Sequence, residues 1–316
     1  MLLNITILIV GLFFLIMGGD FLVRGASKIA LRLHISPLVV GLTIVAFGTS
    51  APELLISVNA ALNGSPDIAM GNVVGSNICN LALVLGITAI LSDMKVQQAS
   101  IKIDWPMAMG SSLLLYFLLF DHSLGKIEGA VFITILVIYI FFVIKKSRKE
   151  TKRIKAVEKN IELPSLPSGK LGKDILFIIA GCAALYFGAE WFVGAAQELA
   201  SALGISDRVI GLTIVALGTS LPELVTAVVA SLKKETDLAL GNLMGSNIFN
   251  ILSILGITSL ITDIHVSEEI LKVDMLWMLG LTFAIMPIMV TKGKIERLEG
   301  IFLVAIYIIY ITFVLL

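Results

Sequence analysis

The sequence predicts an all-α polytopic membrane protein: ten transmembrane helices forming two inverted five-helix repeats, with broken helices at a central site. Three observations carry this expectation. Apolar runs recur along nearly the whole chain, two motifs return at one fixed offset, and Lys and Arg crowd into alternate loops.

Hydrophobic residues make up 58% of the 316 positions and charged residues 15%, with a mean hydropathy of +1.01. A water-soluble domain of this length would present far more charge. Apolar segments fall at 4–23, 36–62, 68–92, 103–120, 127–144, 175–193, 206–231, 238–262, 272–291 and 299–316. Most are close to the roughly 20 residues a helix needs to cross a hydrocarbon core about 30 Å thick. The first run lacks a basic start and a small-residue cleavage site, and a matching segment recurs at 175–193. It reads as a span and not a signal peptide. Between the fifth and sixth spans lies the one long polar stretch, residues 147–172, which reads as a solvated linker with the turn-formers Pro164, Pro167 and Gly169. It divides the chain into halves 1–146 and 173–316. The lipid bilayer is the expected surrounding and a monomer the expected state.

Placing the linker in the cytoplasm fixes the other loops by alternation. Inside loops then carry Arg24, Lys28 and Arg32; Lys95 and Lys102; Lys233 and Lys234; and Lys292, Lys294 and Arg297. Together with the ten basic residues at 145–173 these account for 20 of the 23 basic residues. The positive-inside rule therefore puts both termini outside a cell membrane.

The internal repeat is the strongest signal. GLTIVAFGTSAPE at 41–53 returns as GLTIVALGTSLPE at 211–223, and GNVVGSNICN at 71–80 returns as GNLMGSNIFN at 241–250. Both pairs share an offset of 170, which also aligns Asp20 with Glu190, Asp67 with Asp237, Asp93 with Asp263 and Asp104 with Asp274. Halves of five spans each enter the membrane from opposite sides, so the repeats are inverted, a plan common among secondary transporters.

The repeated stretches place Glu53 and Glu223 near mid-membrane. Pro52 and Pro222 supply no N–H and clash with the carbonyls of Gly48 and Gly218, so each helix should break and free the carbonyls of Ala46, Phe47, Ala216 and Leu217. Broken backbone at that depth is tolerated only inside protein or along a wet cavity. Those carbonyls, the hydroxyls of Thr49, Ser50, Thr219 and Ser220, and two carboxylates make an all-oxygen set suited to a hard cation, Ca2+ or Na+. Ser-x-x-Glu is also a capping box, and Ser50 and Ser220 can serve that role as well. A carboxylate at mid-membrane costs about 2.5–3.5 kcal/mol on insertion scales, and two related by the repeat favour the cation site. Asn72, Ser76 and Asn80 recur at four-residue spacing, as do Asn242, Ser246 and Asn250. Ser76, Asn80, Ser246 and Asn250 are expected ligands. Asn72, Asn77, Asn242 and Asn247 are equally well read as glue between helices. Asp20 and Glu190 read as interfacial or helix-anchoring residues, with a vestibule role as the alternative, and the three Asp pairs as helix caps. Cys79 and Cys182 are isolated and read as packing residues.

With GTSAPE/GTSLPE and GSNICN/GSNIFN on the page, the chain resembles the cation/calcium antiporter superfamily, in its prokaryotic sodium/calcium exchanger branch. The resemblance covers all ten spans. It implies that Ala46, Thr49, Ser50, Glu53, Ser76 and Asn80, with Ala216, Thr219, Ser220, Glu223, Ser246 and Asn250, match the family's ion ligands. Potassium-dependent relatives carry an aspartate where this chain has Asn250, so only Glu53 and Glu223 bring full charge here, enough to balance one Ca2+. The expected function is secondary exchange of Na+ for Ca2+ by alternating access, with the first span of each half sliding across the core. H+/Ca2+ exchange through the same glutamates is the nearest alternative, since a buried carboxylate can also carry a proton. A passive cation channel fits inverted repeats less well. No phosphate-binding loop, His-Glu-x-x-His or Ser/His/Asp constellation is present, so no enzyme activity, cofactor or nucleic-acid partner is expected beside the transported ions.

Overall fold

A computed structural model describes residues 2–157, 171–204 and 216–315. The chain is a helical bundle. Helices α1 (Leu2–Leu33), α2 (Pro37–Thr49), α3 (Ala51–Leu62), α4 (Pro66–Leu91), α5 (Ser100–Asp121) and α6 (Lys126–Val157) make up the first half. Helices α7 (Leu171–Ala202), α8 (Ala216–Thr219), α9 (Leu221–Leu232), α10 (Thr236–Ile261), α11 (Ile270–Thr291) and α12 (Arg297–Leu315) follow. Among the described residues, eight helices are long and apolar enough to cross a membrane, and α2 with α3, bent by 44° at Ser50, form a ninth. The expected span 206–231 is described only from residue 216, as α8 and α9, and 206–215 lie outside the described residues.

Burial separates the helices into two groups. The apolar windows of α4 and α10 are 78% and 83% buried, against 17–33% for the other long helices. The two helices that carry the GSN motifs therefore form the centre, and the rest present apolar residues such as Phe13, Ile138, Phe141 and Phe302 outward. In a chain this apolar, that outer face is the lipid-facing one.

The most extensive helix packing among the described residues is between α1 and α7. They run antiparallel, and glycines at seven-residue steps let the backbones meet: a Cβ on Gly11 or Gly18 would lie 2.7 Å from the amide of Phe192 or Leu185. Gly181 and Gly188 reciprocate against Leu22 and Leu15. Small residues that allow such approach are the usual means of tight association in lipid, where burial of apolar surface drives little. Asp174, 2% exposed, accepts from Arg32 Nε at one end of this pair.

Two short antiparallel pairings tie the halves together. Strand β1 (Met94–Lys95) pairs with β4 (Lys294–Ile295), and β2 (Ser123–Leu124) pairs with β3 (Ile264–His265). Two of the three Asp pairs expected as helix caps instead reach across to other elements. Asp67 accepts from Ser267 N and Asp237 from Gln97 Nε2, while Asp104 and Asp274 accept from Tyr139 and Tyr310. Asp104 and Asp274 stand one turn inside α5 and α11, where the backbone donors are already engaged, so each pairs with a neighbouring element. The first part of the expected linker is helical, because α6 continues to Val157. Lys, Arg and Glu are good helix formers, and a polar sequence does not by itself end a helix. Residues 158–170 of the linker lie outside the described residues.

Candidate functional site

The site forms where the break between α2 and α3 meets α10, and where the break between α8 and α9 meets α4. Ser50 and Ser220 occupy the two breaks with matching backbone angles, φ −82°, ψ 5° and φ −87°, ψ 4°. Pro52 and Pro222 sit at the start of the resumed helices, where a missing N–H is tolerated. The breaks are kinks of one residue. Ala46 O still accepts from Ser50 N at 2.9 Å and from Thr49 Oγ1 at 3.3 Å, so that carbonyl is not freed as expected. Neither serine caps its helix with its side chain. Ser50 Oγ instead donates across the halves to Glu223 Oε1 at 3.2 Å. A hydroxyl that donates to a buried carboxylate makes a charge-assisted bond, stronger than the neutral N–H bond it would accept at the helix end.

Ten of the twelve candidate ligands have their side chains in or beside one buried cluster. Glu53, Glu223, Asn80, Asn250, Thr49 and Ser246 are fully buried, and Ser50, Ser220 and Ser76 nearly so. Ala46 is buried on α2, Thr219 is half-buried, and Ala216 is described by its backbone alone at the start of α8. Thr49 Oγ1 donates to Asn242 Oδ1 at 3.2 Å and lies 3.4 Å from Ser246 Oγ, which donates to Glu223 Oε1 at 3.4 Å. Glu223 Oε1 is thus held by hydroxyls from both halves.

Six further oxygens of the cluster are unpartnered. Among the described residues, both Glu53 oxygens, Glu223 Oε2, Asn80 Oδ1, Asn250 Oδ1 and Ser220 Oγ are buried with no hydrogen-bond partner. Buried polar groups are almost always paired, and an unpaired carboxylate is the most expensive exception. Such a set calls for positive charge. No group of three or more His, Cys, Asp or Glu is gathered among the described residues. The donor set is accordingly two carboxylates among neutral oxygens, the chemistry of a hard cation and not of zinc.

The asparagines left open by the sequence divide by geometry. Asn72 Nδ2 donates to Glu53 O at 3.2 Å and Ser57 Oγ at 3.0 Å, which is helix glue. Asn77 links the central helices, donating to Asn247 O and accepting from Asn250 Nδ2 at 3.1 Å. Asn242 orients Thr49. The π-helical turns that begin at Asn80 and Asn250 were not foreseen. Such turns widen a helix locally and are frequent at functional sites, but no residue type announces them.

A helical membrane bundle with unpartnered carboxylates buried at paired helix breaks has the construction of an ion transporter. The chain belongs to the sodium/calcium exchanger family: the model for "Sodium/calcium exchanger protein" matches residues 3–145 and 173–316. It is 40% identical to CaxA of Alkalimonas amylolytica over 316 residues, 98% of each chain. It is 35% identical to the sodium/calcium exchanger MaX1 of Methanosarcina acetivorans, covering 98% of this chain and 97% of MaX1. Its structure is similar to that of the sodium-calcium exchanger NCX_Mj soaked with Na+ and Ca2+, with a TM-score of 0.83, 32% identity and 98% of each chain covered.

Proposed function

We propose that this protein is a secondary antiporter that exchanges Na+ for Ca2+ across the membrane by alternating access. One observation carries the reading: both oxygens of Glu53 and one of Glu223 are buried without a partner, beside unpartnered oxygens of Asn80, Asn250 and Ser220. The likeness to MaX1 and NCX_Mj, whose names state sodium/calcium exchange, supports the choice of ions. Glu53 and Glu223 supply the charge that balances one Ca2+. Ser50, Thr49, Ser76 and Asn80, with Ser220, Thr219, Ser246 and Asn250, supply neutral oxygens, and Ala216 contributes its backbone carbonyl. Ala46 O joins them only if it gives up its bonds from Ser50 N and Thr49 Oγ1. Na+ competes for the same oxygens with a smaller charge, so binding of one ion disfavours the other.

The topology completes the proposal. Ten spans form two inverted halves, 1–146 and 173–316, joined by a cytoplasmic linker at 147–172, with both termini outside the cell membrane and a monomer as the working unit. The 170-residue offset supports the pairing of halves, and the family model supports it by matching twice. The glycine-packed α1–α7 pair is suited to slide as one body, because neither helix can separate without losing backbone contact.

The test is 45Ca2+ uptake into proteoliposomes under an imposed Na+ gradient, a pH gradient or none. Uptake driven by the Na+ gradient is expected. Uptake driven only by the pH gradient would assign H+ coupling, and uptake that needs no counter-ion would assign a channel.

A further inference from the structure

We propose that Glu190 is the carboxylate at the mouth of the cation route on one face of the membrane, and that its repeat-mate Asp20 is held silent on the other face by Lys233. The proposal rests on the exchanger reading and extends it to residues outside the buried cluster.

Depth comes first. The glycine contacts between α1 and α7 pair residues whose numbers total 199: 11 with 188, 18 with 181 and 25 with 174. With a repeat offset of 170, the helix pair passes its own symmetry point between residues 14 and 15 and between 184 and 185. Asp20 and Glu190 each stand five to six residues beyond that point, about 8 Å along a helix. Half the hydrocarbon thickness is about 15 Å, so both carboxylates lie inside it. A charge at that depth requires either a partner or water.

The two positions meet that requirement differently. Asp20 is paired with Lys233, at the end of α9, and with Arg24 at 2.8 Å. Lys233 Nζ also reaches Asp20 O at 3.4 Å, so α1 is tied to α9 on that face. The repeat-mate of Lys233 is Asn63, a neutral amide already donating to Asn59 Oδ1 at 2.9 Å. Among the described residues, Glu190 therefore has no cation equivalent to Lys233. It faces a cavity of about 270 Å³ bounded by Pro52, Ile56, Tyr186, Gly218 and Thr219. Three of those walls adjoin the helix breaks: Pro52 precedes Glu53, and Gly218 and Thr219 precede Ser220. The cavity therefore borders both an exposed carboxylate and the two helix breaks, on the face opposite the Asp20–Lys233 contact.

A single carboxylate here acts by raising the local concentration of hydrated divalent cations and does not ligate the transported ion. At about 8 Å in a water-like medium, one negative charge raises the local Ca2+ concentration roughly fivefold, an effect that salt screens. The device is one-sided. The face that opens at Glu190 attracts cations, and the opposite face must first break the Asp20–Lys233 pair.

The experiment measures the half-saturating Ca2+ concentration of Na+-driven 45Ca2+ transport from each face, using membrane vesicles of the two orientations. Glu190→Gln is expected to raise it about fivefold at low ionic strength on the Glu190 face only, with maximal rate retained. The difference should fade at high ionic strength, and Glu190→Asp should stay close to wild type. Lys233→Ala should lower the half-saturating concentration on the opposite face. An unchanged value in Glu190→Gln, or an equal rise on both faces, overturns the mouth assignment while leaving exchange intact. Absence of Na+-driven transport in the wild type overturns the exchanger reading, and this proposal with it.

Discussion

Replacing Glu53 by Gln separates charge from shape. The side chain is fully buried, and neither carboxylate oxygen has a partner among the described residues. Glutamine fills the same volume but removes one of the two full negative charges and turns one acceptor into a donor. Removing one partner from a buried ionic contact costs about 3–5 kcal/mol, on the order of 10²- to 10³-fold in affinity. The ion-free protein should lose nothing in stability, because an uncompensated buried charge has been removed. Two readouts follow in proteoliposomes and in detergent. Na+-driven 45Ca2+ uptake should fall to background at Ca2+ concentrations that saturate the wild type. The rise in Tm that Ca2+ confers, about 2.7 kcal/mol of stabilisation at 100 times Kd, should disappear while the Tm without Ca2+ is kept. Transport retained with a half-saturating concentration within threefold of wild type would remove Glu53 from the site. A collapse of the ion-free Tm would instead make its role structural.

Further predictions concern the scaffold. Gly181→Ala places a Cβ 2.7 Å from Leu22 N and 2.9 Å from Gly18 O, both backbone atoms that cannot swing aside. It should destabilise the protein by about 1–3 kcal/mol in thermal unfolding, whereas Gly280→Ala, where a Cβ meets no described atom within 4 Å, should not. Outside the membrane, Glu296 is held down to about 2 from its ordinary 4.5, first by Lys292 and then by Lys294. Its folded value is depressed, so its contribution is present above about pH 4.5 and is lost as pH falls toward 2. A carboxyl NMR titration should find it low in wild type and nearer the ordinary range in Lys292→Ala. An unshifted Glu296 in wild type would refute the pairing.

The sequence made the centre legible and the connections illegible. Glu53 and Glu223 were identifiable because carboxylates are costly at mid-membrane, and the repeat offered each a counterpart. Helix positions followed from apolar length, but ends did not: α6 continues through a charged stretch to Val157 because propensity there favours helix. The hydroxyl of Ser50 was assigned to its own helix end, which is the local choice. Its observed partner, Glu223, is 173 residues away and becomes near only through packing. Asn80 and Asn250 are the same residue in matching motifs, yet Asn250 donates to Asn77 while Asn80 is unpartnered. No sequence pattern separates them, because the difference lies in how the two halves sit against each other. The seven-residue glycine spacing in α1 and α7 was visible in the chain, and only the antiparallel contact gives it meaning.

The central claim is that Glu53 and Glu223 together hold one Ca2+ that Na+ displaces. Equilibrium dialysis of the purified protein against 45Ca2+ tests it most directly, with and without Na+ and alongside the Glu53→Gln/Glu223→Gln double variant. The account predicts one bound Ca2+ per wild-type chain, progressively displaced as Na+ is raised, and none bound in the double variant at the same Ca2+ concentration. Undiminished Ca2+ binding in the double variant, or binding indifferent to Na+, would contradict it.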